Sequence, residues 1–207
     1  MTTKDLFRWK VSTEDAYQLL LAAYARVVET RAMSCELTED IKKYLLAIAE
    51  TLTSKSTKCG ILLCGNCGNG KTTSMMAFAT VTEYLYSLYC KKCMDAGQWP
   101  KSFKPEKTSA RRIVQVAKDE VAMTEAKKAE VLCIDDVGLE PTEVLDYGNA
   151  LNPVIEIMEQ RYRQQLFTFI TTNLTPAQIR EKYGDRIADR FNETMKCIVY
   201  KNPTFRK

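Results

Sequence analysis

Gly65-Asn66-Cys67-Gly68-Asn69-Gly70-Lys71-Thr72, with Thr73 behind it, is the stretch whose reading decides the fold. Before it runs Gly60-Ile61-Leu62-Leu63-Cys64, a short apolar segment of strand length. After it, Thr73 to about Lys92 reads as a helix. The spacing G-x-x-x-x-G-K-[ST] belongs to a loop that binds phosphate. Glycines let backbone N–H groups turn inward around an anion without Cβ clashes. The helix that follows aims its positive N-terminus at the same anion. In this reading Gly65, Asn66, Cys67, Gly68, Asn69, Gly70 and Thr73 cradle the phosphates, and Lys71 reaches the β- and γ-phosphates. The Thr72 hydroxyl ligates Mg²⁺. The competing reading is a plain Gly/Asn turn; three glycines, the Lys-Thr pair and both flanks disfavour it. The expected ligand is ATP with Mg²⁺.

A second anchor is Val131-Leu132-Cys133-Ile134-Asp135-Asp136, four apolar residues ending in two acids. Ligands of open α/β sheets bind at the carboxyl ends of the strands. Asp135 is therefore expected to hold Mg²⁺ through water, and Asp136 to orient or deprotonate the attacking water. Leu166 to Thr171 reads as another strand, ending at Thr172-Asn173. The Asn173 amide suits a γ-phosphate or a lytic water equally with a turn cap ahead of Thr175-Pro176. Arg186 and Arg190 lie four apart on a short helix from Asp185 to Phe191. Read from residues alone, they form an exposed face paired with Asp185 and Asp189.

The 207 residues suit one α/β domain with a small helical appendage, and 45% hydrophobic with 27% charged residues is an ordinary globular composition. We expect a helical extension over 1–56 and the nucleotide domain over 57–207. No apolar run is long enough to span a bilayer, and the N-terminus lacks a secretory pattern, so a cytoplasmic protein without membrane contact is expected. The absence of histidine excludes Ser-His and Cys-His catalysis and histidine-ligated metals. The eight cysteines then read as reduced, mostly buried residues. Cys64/Cys67 and Cys90/Cys93 have C-x-x-C spacing, but the first pair lies in the phosphate loop and the second has no downstream partner pair. A net charge of +4 permits a nucleic-acid partner without demanding one. Trp99, Phe103, Lys101, Lys104 and Lys107 interleave between Asp95 and Thr108, a surface excursion that can enclose a short second strand. That mixture fits base stacking and phosphate contact as well as it fits a solvated loop.

Residues 1–12, with Phe7 and Trp9 among charges, read as a poorly ordered arm or a docking peptide. Ser12 or Thr13 caps a helix to about Thr30, and Thr38 caps a second through Leu52. Their apolar faces (Ala16, Leu19, Leu20, Ala23, Val27; Ile41, Leu45, Ile48, Ala49, Leu52) are expected to pack on the nucleotide domain. Further helices are expected over Ser109–Asp119, Tyr147–Gln165 with a fresh start near Pro153, and Pro176–Lys182, with a last strand over Lys196–Tyr200.

Taken together, the phosphate loop, Ile134-Asp135-Asp136-Val137-Gly138, Glu159-Gln160-Arg161-Tyr162, Thr171-Thr172-Asn173-Leu174 and Tyr183-Gly184-Asp185-Arg186-Ile187-Ala188-Asp189-Arg190-Phe191 resemble the AAA+ ATPases of the DnaC/IstB group. These are bacterial or phage helicase loaders and transposition helpers, and the resemblance covers about residues 55–200. It implies a P-loop NTPase of the AAA+ (ASCE) type, with a five-stranded parallel sheet in the order 5-1-4-3-2 and helices on both faces. Little sequence follows the last strand, so, in departure from the family, a reduced or absent lid is expected. It makes Asn173 the sensor I residue. It makes Arg190 an arginine finger acting in a neighbouring subunit's ATP site, with Arg186 a second cationic contact. It implies hydrolysis of ATP to ADP and phosphate, slowed because Asp136 stands where many relatives carry Glu. The implied role is DNA replication, through self-association and binding to single-stranded DNA or a replicative helicase. The alternatives are a transposition helper working with a transposase, or a nucleotide-gated binding module with little hydrolysis. A small-molecule kinase on the same scaffold is disfavoured by the Asp-Asp strand end and the arginine pair.

Overall fold

The central strands are continuous apolar runs because helices cover both of their faces. The computed structural model describes residues 5–32, 35–141, 144–146 and 149–205, with 144–146 and 149–151 described by backbone path alone. In chain order, α1 (Thr13–Glu29) and α2 (Glu39–Thr53) precede β1 (Gly60–Gly65), α3 (Lys71–Asp95), β2 (Pro105–Ser109), α4 (Ala110–Gln115), α5 (Glu120–Lys128) and β3 (Val131–Val137). A two-stranded antiparallel ribbon, β4 (Val144–Asp146) and β5 (Asn149–Leu151), leads into α6 (Pro153–Gln164). Then come β6 (Phe167–Thr172), α7 (Pro176–Tyr183), α8 (Asp185–Thr194) and β7 (Met195–Tyr200). The main sheet is parallel, ordered β2-β3-β6-β1-β7. Counting its own strands in sequence, that is 5-1-4-3-2, as expected.

Alternation along each strand divides the core in two. Ile61, Leu63, Val131, Cys133, Phe167 and Phe169 face α1, α2 and α3. Leu62, Cys64, Leu132, Ile134 and Ile170 face the side covered by α4 to α8. The N-terminal helices thus bury their apolar faces in the same core as β1. Local signals start the helices where expected: Ser12 Oγ accepts from Asp15 N–H, Thr38 Oγ1 from Ile41 N–H, and Thr175 and Gln178 form a capping box.

Three elements differ from the sequence reading. Residues 5–12 are not a loose arm; Met1 to Lys4 lie outside the described residues. Trp9 N–H donates to Leu52 O at 2.9 Å, and its indole stacks on Phe78 with ring centroids 5.7 Å apart. The Arg8 guanidinium donates to Ser54 O, Ser56 O and Lys58 O at 3.0, 2.5 and 2.7 Å, gathering the link into β1. The two aromatics of this segment, Phe7 and Trp9, join the core, and their burial outweighs the ordering entropy of a few residues. Second, the helix expected over Ser109–Asp119 stops at Gln115, and Asp119 instead caps α5 by accepting from Val121 and Ala122 N–H, both at 3.0 Å. Third, the helix expected from Tyr147 begins at Pro153, behind an Asn152 cap; Tyr147 itself lies outside the described residues.

Arg161 is the largest fully buried side chain among the described residues, 1% exposed, and forms no salt bridge there, the Glu130 charge acting on it only from farther off. It donates to Thr168 Oγ1 at 2.9 Å and to the carbonyls of Ala126, Ala129 and Phe167 at 3.0, 2.7 and 2.7 Å. One guanidinium therefore ties the end of α5 to α6 and β6. Burial pulls its pKa down to about 10, which leaves it charged at neutral pH.

Candidate nucleotide site

The loop after β1 closes on itself through Lys71. Its ammonium, 5% exposed, shares its protons among Gly65 O (2.8 Å), Asn66 O (2.7 Å), Asn69 Oδ1 (3.1 Å) and Asn173 Oδ1 (2.9 Å). Burial lowers its pKa from the ordinary lysine value, against the opposing pull of Cys67, Asp136, Cys64 and Asp135. Gly70 caps α3 in the left-handed region (φ 98°) and supplies no side-chain hydrogen bond. The first N–H groups of α3 are thus left without a capping side chain, the arrangement that binds anions. A Cβ at Gly70 would stand 2.6 Å from the Tyr24 hydroxyl, so α1 lies directly behind the loop.

Residues from far away hold the loop's outer side. Asn69, wholly buried, donates from Nδ2 to Tyr200 O at 3.2 Å. Asn202 Nδ2 donates to Asn69 O at 3.1 Å, and Phe205 N–H to Gly68 O at 2.9 Å. Tyr200 Oη donates to Ser74 Oγ at 2.8 Å, and Arg31 reaches Thr73 Oγ1 at 3.3 Å. The segment after β7 thus lies along the outside of the loop and braces its carbonyls.

At the end of β3, Asp135 Oδ1 accepts from Thr72 Oγ1 at 2.9 Å and from Thr171 Oγ1 at 2.5 Å. Thr171 Oγ1 in turn accepts from Asp136 N–H at 3.0 Å. Asp136 sits in the left-handed region at φ 53°, where the register between β3 and β6 shifts. Beyond it, the buried Glu140 carboxylate accepts from Gly138 N–H at 2.8 Å and from the Tyr183 hydroxyl. Lys182 donates to Gly138 O and Glu140 O at 2.9 and 2.7 Å, fixing the turn after β3 to α7.

Lys71, Thr72, Asp135, Asp136 and Asn173 therefore converge around one loop, as the sequence spacing predicts. Glu140, Tyr200 and Asn202 support it and are not singled out by any motif, and Thr171, although it stands in the Thr171-Thr172-Asn173-Leu174 segment, carries no expected role there. Arg186 and Arg190 lie elsewhere, on α8 against α6. Arg190, 17% exposed, has NH1 2.9 Å from Glu159 Oε1 without an aligned hydrogen bond, and its guanidinium lies over the Tyr162 ring at 4.6 Å. Arg186, 69% exposed, has Nε 3.3 Å from the same carboxylate. The acids expected to pair with them, Asp185 and Asp189, instead bind Arg180. Cys64 Sγ lies 3.8 Å from Cys197 Sγ across β1 and β7; their hydrogen bond pushes the Cys64 thiol up and draws Cys197 down to about 7. Among the described residues no group of three or more Cys, Asp or Glu is placed to hold a metal ion.

The donors fit magnesium-bound triphosphate. A buried ammonium and an uncapped helix N-terminus suit phosphate oxygens, and a hydroxyl beside a carboxylate gives the hard oxygen donors that Mg²⁺ prefers.

No protein-family model matches the sequence, and no curated protein sequence does either. Solved structures do share the fold. The DnaC helicase loader superimposes with TM-score 0.56 at 18% identity, over 79% of this chain and 92% of that one. DnaI does so with TM-score 0.57 at 20% identity, over 83% and 88%. AMPPCP-bound DnaA from Aquifex aeolicus gives 0.52 at 17% identity over 80% of this chain, which spans about half (48%) of that protein. The chain therefore has the AAA+ P-loop fold of DnaC-type proteins, and at these identities the likeness is one of fold.

Proposed function

We propose that the chain is an AAA+ ATPase of the DnaC helicase-loader type, acting in DNA replication through ATP-dependent assembly and contact with single-stranded DNA and a helicase. The observation that supports the ATPase part is the convergence of Lys71, Thr72, Asp135 and Asn173, from three strand ends, on an uncapped helix N-terminus; the loader part draws on the fold shared with DnaC and DnaI. In this reading Lys71 gives up loop carbonyls for β- and γ-phosphate oxygens. Thr72 and Asp135 would hold Mg²⁺, which would neutralise phosphate charge. Asn173, already within reach of Lys71, orients the γ-phosphate or the lytic water, and Asp136 takes that water's proton. Lys71→Ala is expected to abolish both nucleotide binding and turnover; turnover that survives it would refute the assignment.

The arginines on α8 are remote from the chain's own loop, which suits a role in a neighbouring subunit's site. Arg186 is exposed enough to reach out directly. Arg190 must first leave Glu159 and Tyr162. Turnover per protomer should rise with protein concentration, and Arg190→Ala or Arg186→Ala should flatten that rise. A second reading has support in Asp136, one methylene shorter than Glu and tied through its N–H to Thr171. It makes the protein a nucleotide-gated binding module with little hydrolysis. Single-turnover hydrolysis separates the two: Asp136→Glu should speed a chain built as a slow switch.

A further inference from the structure

Trp99 is 98% exposed. Large aromatics left wholly in water are uncommon, and the other tryptophan, Trp9, is buried on Phe78. The loop that carries Trp99 is not slack. Gln98 N–H donates to Cys93 O at 2.8 Å and Gly97 N–H to Met94 O at 3.0 Å, folding the loop's start against the end of α3. On its far side Phe103 packs edge-on against Tyr86, with centroids 4.9 Å apart, and also against Tyr89 and Phe7. Lys101 N–H reaches the Tyr89 hydroxyl at 3.4 Å. Trp99 thus projects from a segment anchored at both ends.

Charge along the segment is mostly of one sign. Residues 91–104 hold four lysines (Lys91, Lys92, Lys101, Lys104) and one acid, Asp95. All four lysines are exposed, and none has a side-chain hydrogen bond or ion pair among the described residues. Lys107, farther along, is already engaged by Glu83 at 2.6 Å. A water-exposed indole with uncommitted lysines along the same segment complements a polyanion that carries flat rings.

We propose that Trp99, with Lys91, Lys92, Lys101 and Lys104, forms a stacking site for an unpaired base of a single-stranded nucleic acid. A duplex keeps its base faces covered, so the indole selects single strands. The lysines neutralise flanking phosphates whatever the sequence, so binding is sequence-tolerant and sensitive to salt. The inference rests on the nucleic-acid part of the proposed function and gives it a place on the surface.

The two tryptophans make the test direct. Full-length protein is titrated with oligo(dT), following tryptophan emission, and with labelled oligo(dT), following anisotropy, each with and without ATP. Oligo(dT) should quench the Trp99 emission. Trp99→Ala should remove the quench and weaken binding roughly 10- to 100-fold, the worth of one base stack. Trp99→Phe should recover part of that affinity. Replacing Lys101 and Lys104 together with Ala should make the slope of log affinity against log salt shallower by roughly 1 to 1.5. Equal affinity of Trp99→Ala and parent would overturn the site while leaving nucleic-acid binding in place. Duplex binding as tight as single-strand binding, or quenching by anionic vesicles and not by oligo(dT), would also overturn it. Nucleotide binding and DNA-free turnover should be unchanged in Trp99→Ala. Their loss in Lys71→Ala reports separately on the ATPase reading.

Discussion

Thr171→Val isolates the contact that sets the two acids after β3. The substitution keeps volume and removes one hydroxyl from a site with no solvent access. That hydroxyl donates to the Asp135 carboxylate and accepts from Asp136 N–H. A hydrogen bond to an ionised group contributes about 1.5–3 kcal/mol, and leaving a buried N–H unpaired costs about 1–3 kcal/mol. The expected destabilisation is therefore about 2–5 kcal/mol, a large part of the roughly 5–15 kcal/mol typical of a domain. In a chain of this size it should lower Tm by roughly 5–15 °C. Thr72 Oγ1 remains on Asp135 Oδ1, so the carboxylate stays in the site but loses the Thr171 hydroxyl donor. The Mg²⁺ concentration that half-saturates ATP turnover should then rise. The assay pairs urea unfolding with turnover across a Mg²⁺ series, with Thr171→Ser as the control that restores the hydroxyl. An unfolding midpoint within experimental error of the parent, together with an unchanged Mg²⁺ dependence, would refute the idea that Thr171 positions these acids.

Burial holds the Lys71 ammonium below its ordinary pKa, and a bound polyanion favours the charged form. Nucleotide affinity should therefore be level near neutral pH and fall as pH rises through the depressed value. In the same window, up to the unfolded lysine value, the stability of the nucleotide-free protein should rise, because there the unfolded chain holds more protons; fluorescent-nucleotide titrations of the parent read the first profile, and Lys71→Met should flatten the second, read from urea midpoints. Arg161→Met leaves three carbonyl acceptors, one of them buried, without their guanidinium donor, and by analogy with breaking a buried charge contact it should cost about 3–5 kcal/mol in urea unfolding. Gly138 has φ 110°, and a Cβ there would stand 2.6 Å from the Leu174 side chain, so Gly138→Ala should destabilise by about 1–3 kcal/mol and slow turnover by moving the turn after Asp136.

Which elements were legible follows from where their partners lie. β1, β3 and β6 announce themselves because a strand buried on both faces is rich in apolar and β-branched residues, and each ends where polar chemistry begins. α5 gives no such signal: Met123 is its one buried residue, so no stripe recurs along it. The Phe7–Trp9 segment has no periodicity, and its partners, Leu52, Phe78 and Phe167, lie far along the chain. The candidate site divides the same way. Lys71, Thr72, Asp135 and Asp136 stand in local patterns fixed by chemistry, and Asn173 sits at a recognisable strand end. Thr171, Glu140, Tyr200 and Asn202 act through burial and through contacts made only once β6, α7 and β7 are in place. Arg161 reads as an ordinary charged residue on a helix until the carbonyls around it are seen.

Glu159 is where the assembly proposal can be pressed hardest. α6 begins beyond the Asp135-Asp136 turn and leads into β6, which carries Thr171 and precedes Asn173. Two residues apart on this helix, Glu159 meets α8 and Arg161 enters the core. Arg161 clamps α6 to β6 and α5, so a shift at Asp135 on nucleotide binding has a stiff path toward the α8 face. On that face a single carboxylate holds both candidate trans-acting arginines. If they serve a neighbour's ATP, Glu159 competes with that ATP for them. Glu159→Gln removes the competing charge and keeps the shape. For a partly exposed pair the charge contributes up to about 1 kcal/mol, so ATP-bound assembly should tighten by up to roughly fivefold, measured by sedimentation. Assembly without nucleotide should not change, since no triphosphate is present to take the freed guanidinium groups. Combining Glu159→Gln with Arg186→Ala and Arg190→Ala should erase the gain. If Glu159→Gln weakens assembly, or tightens it equally without ATP, the α8 arginines are structural and the site is completed by some other cation.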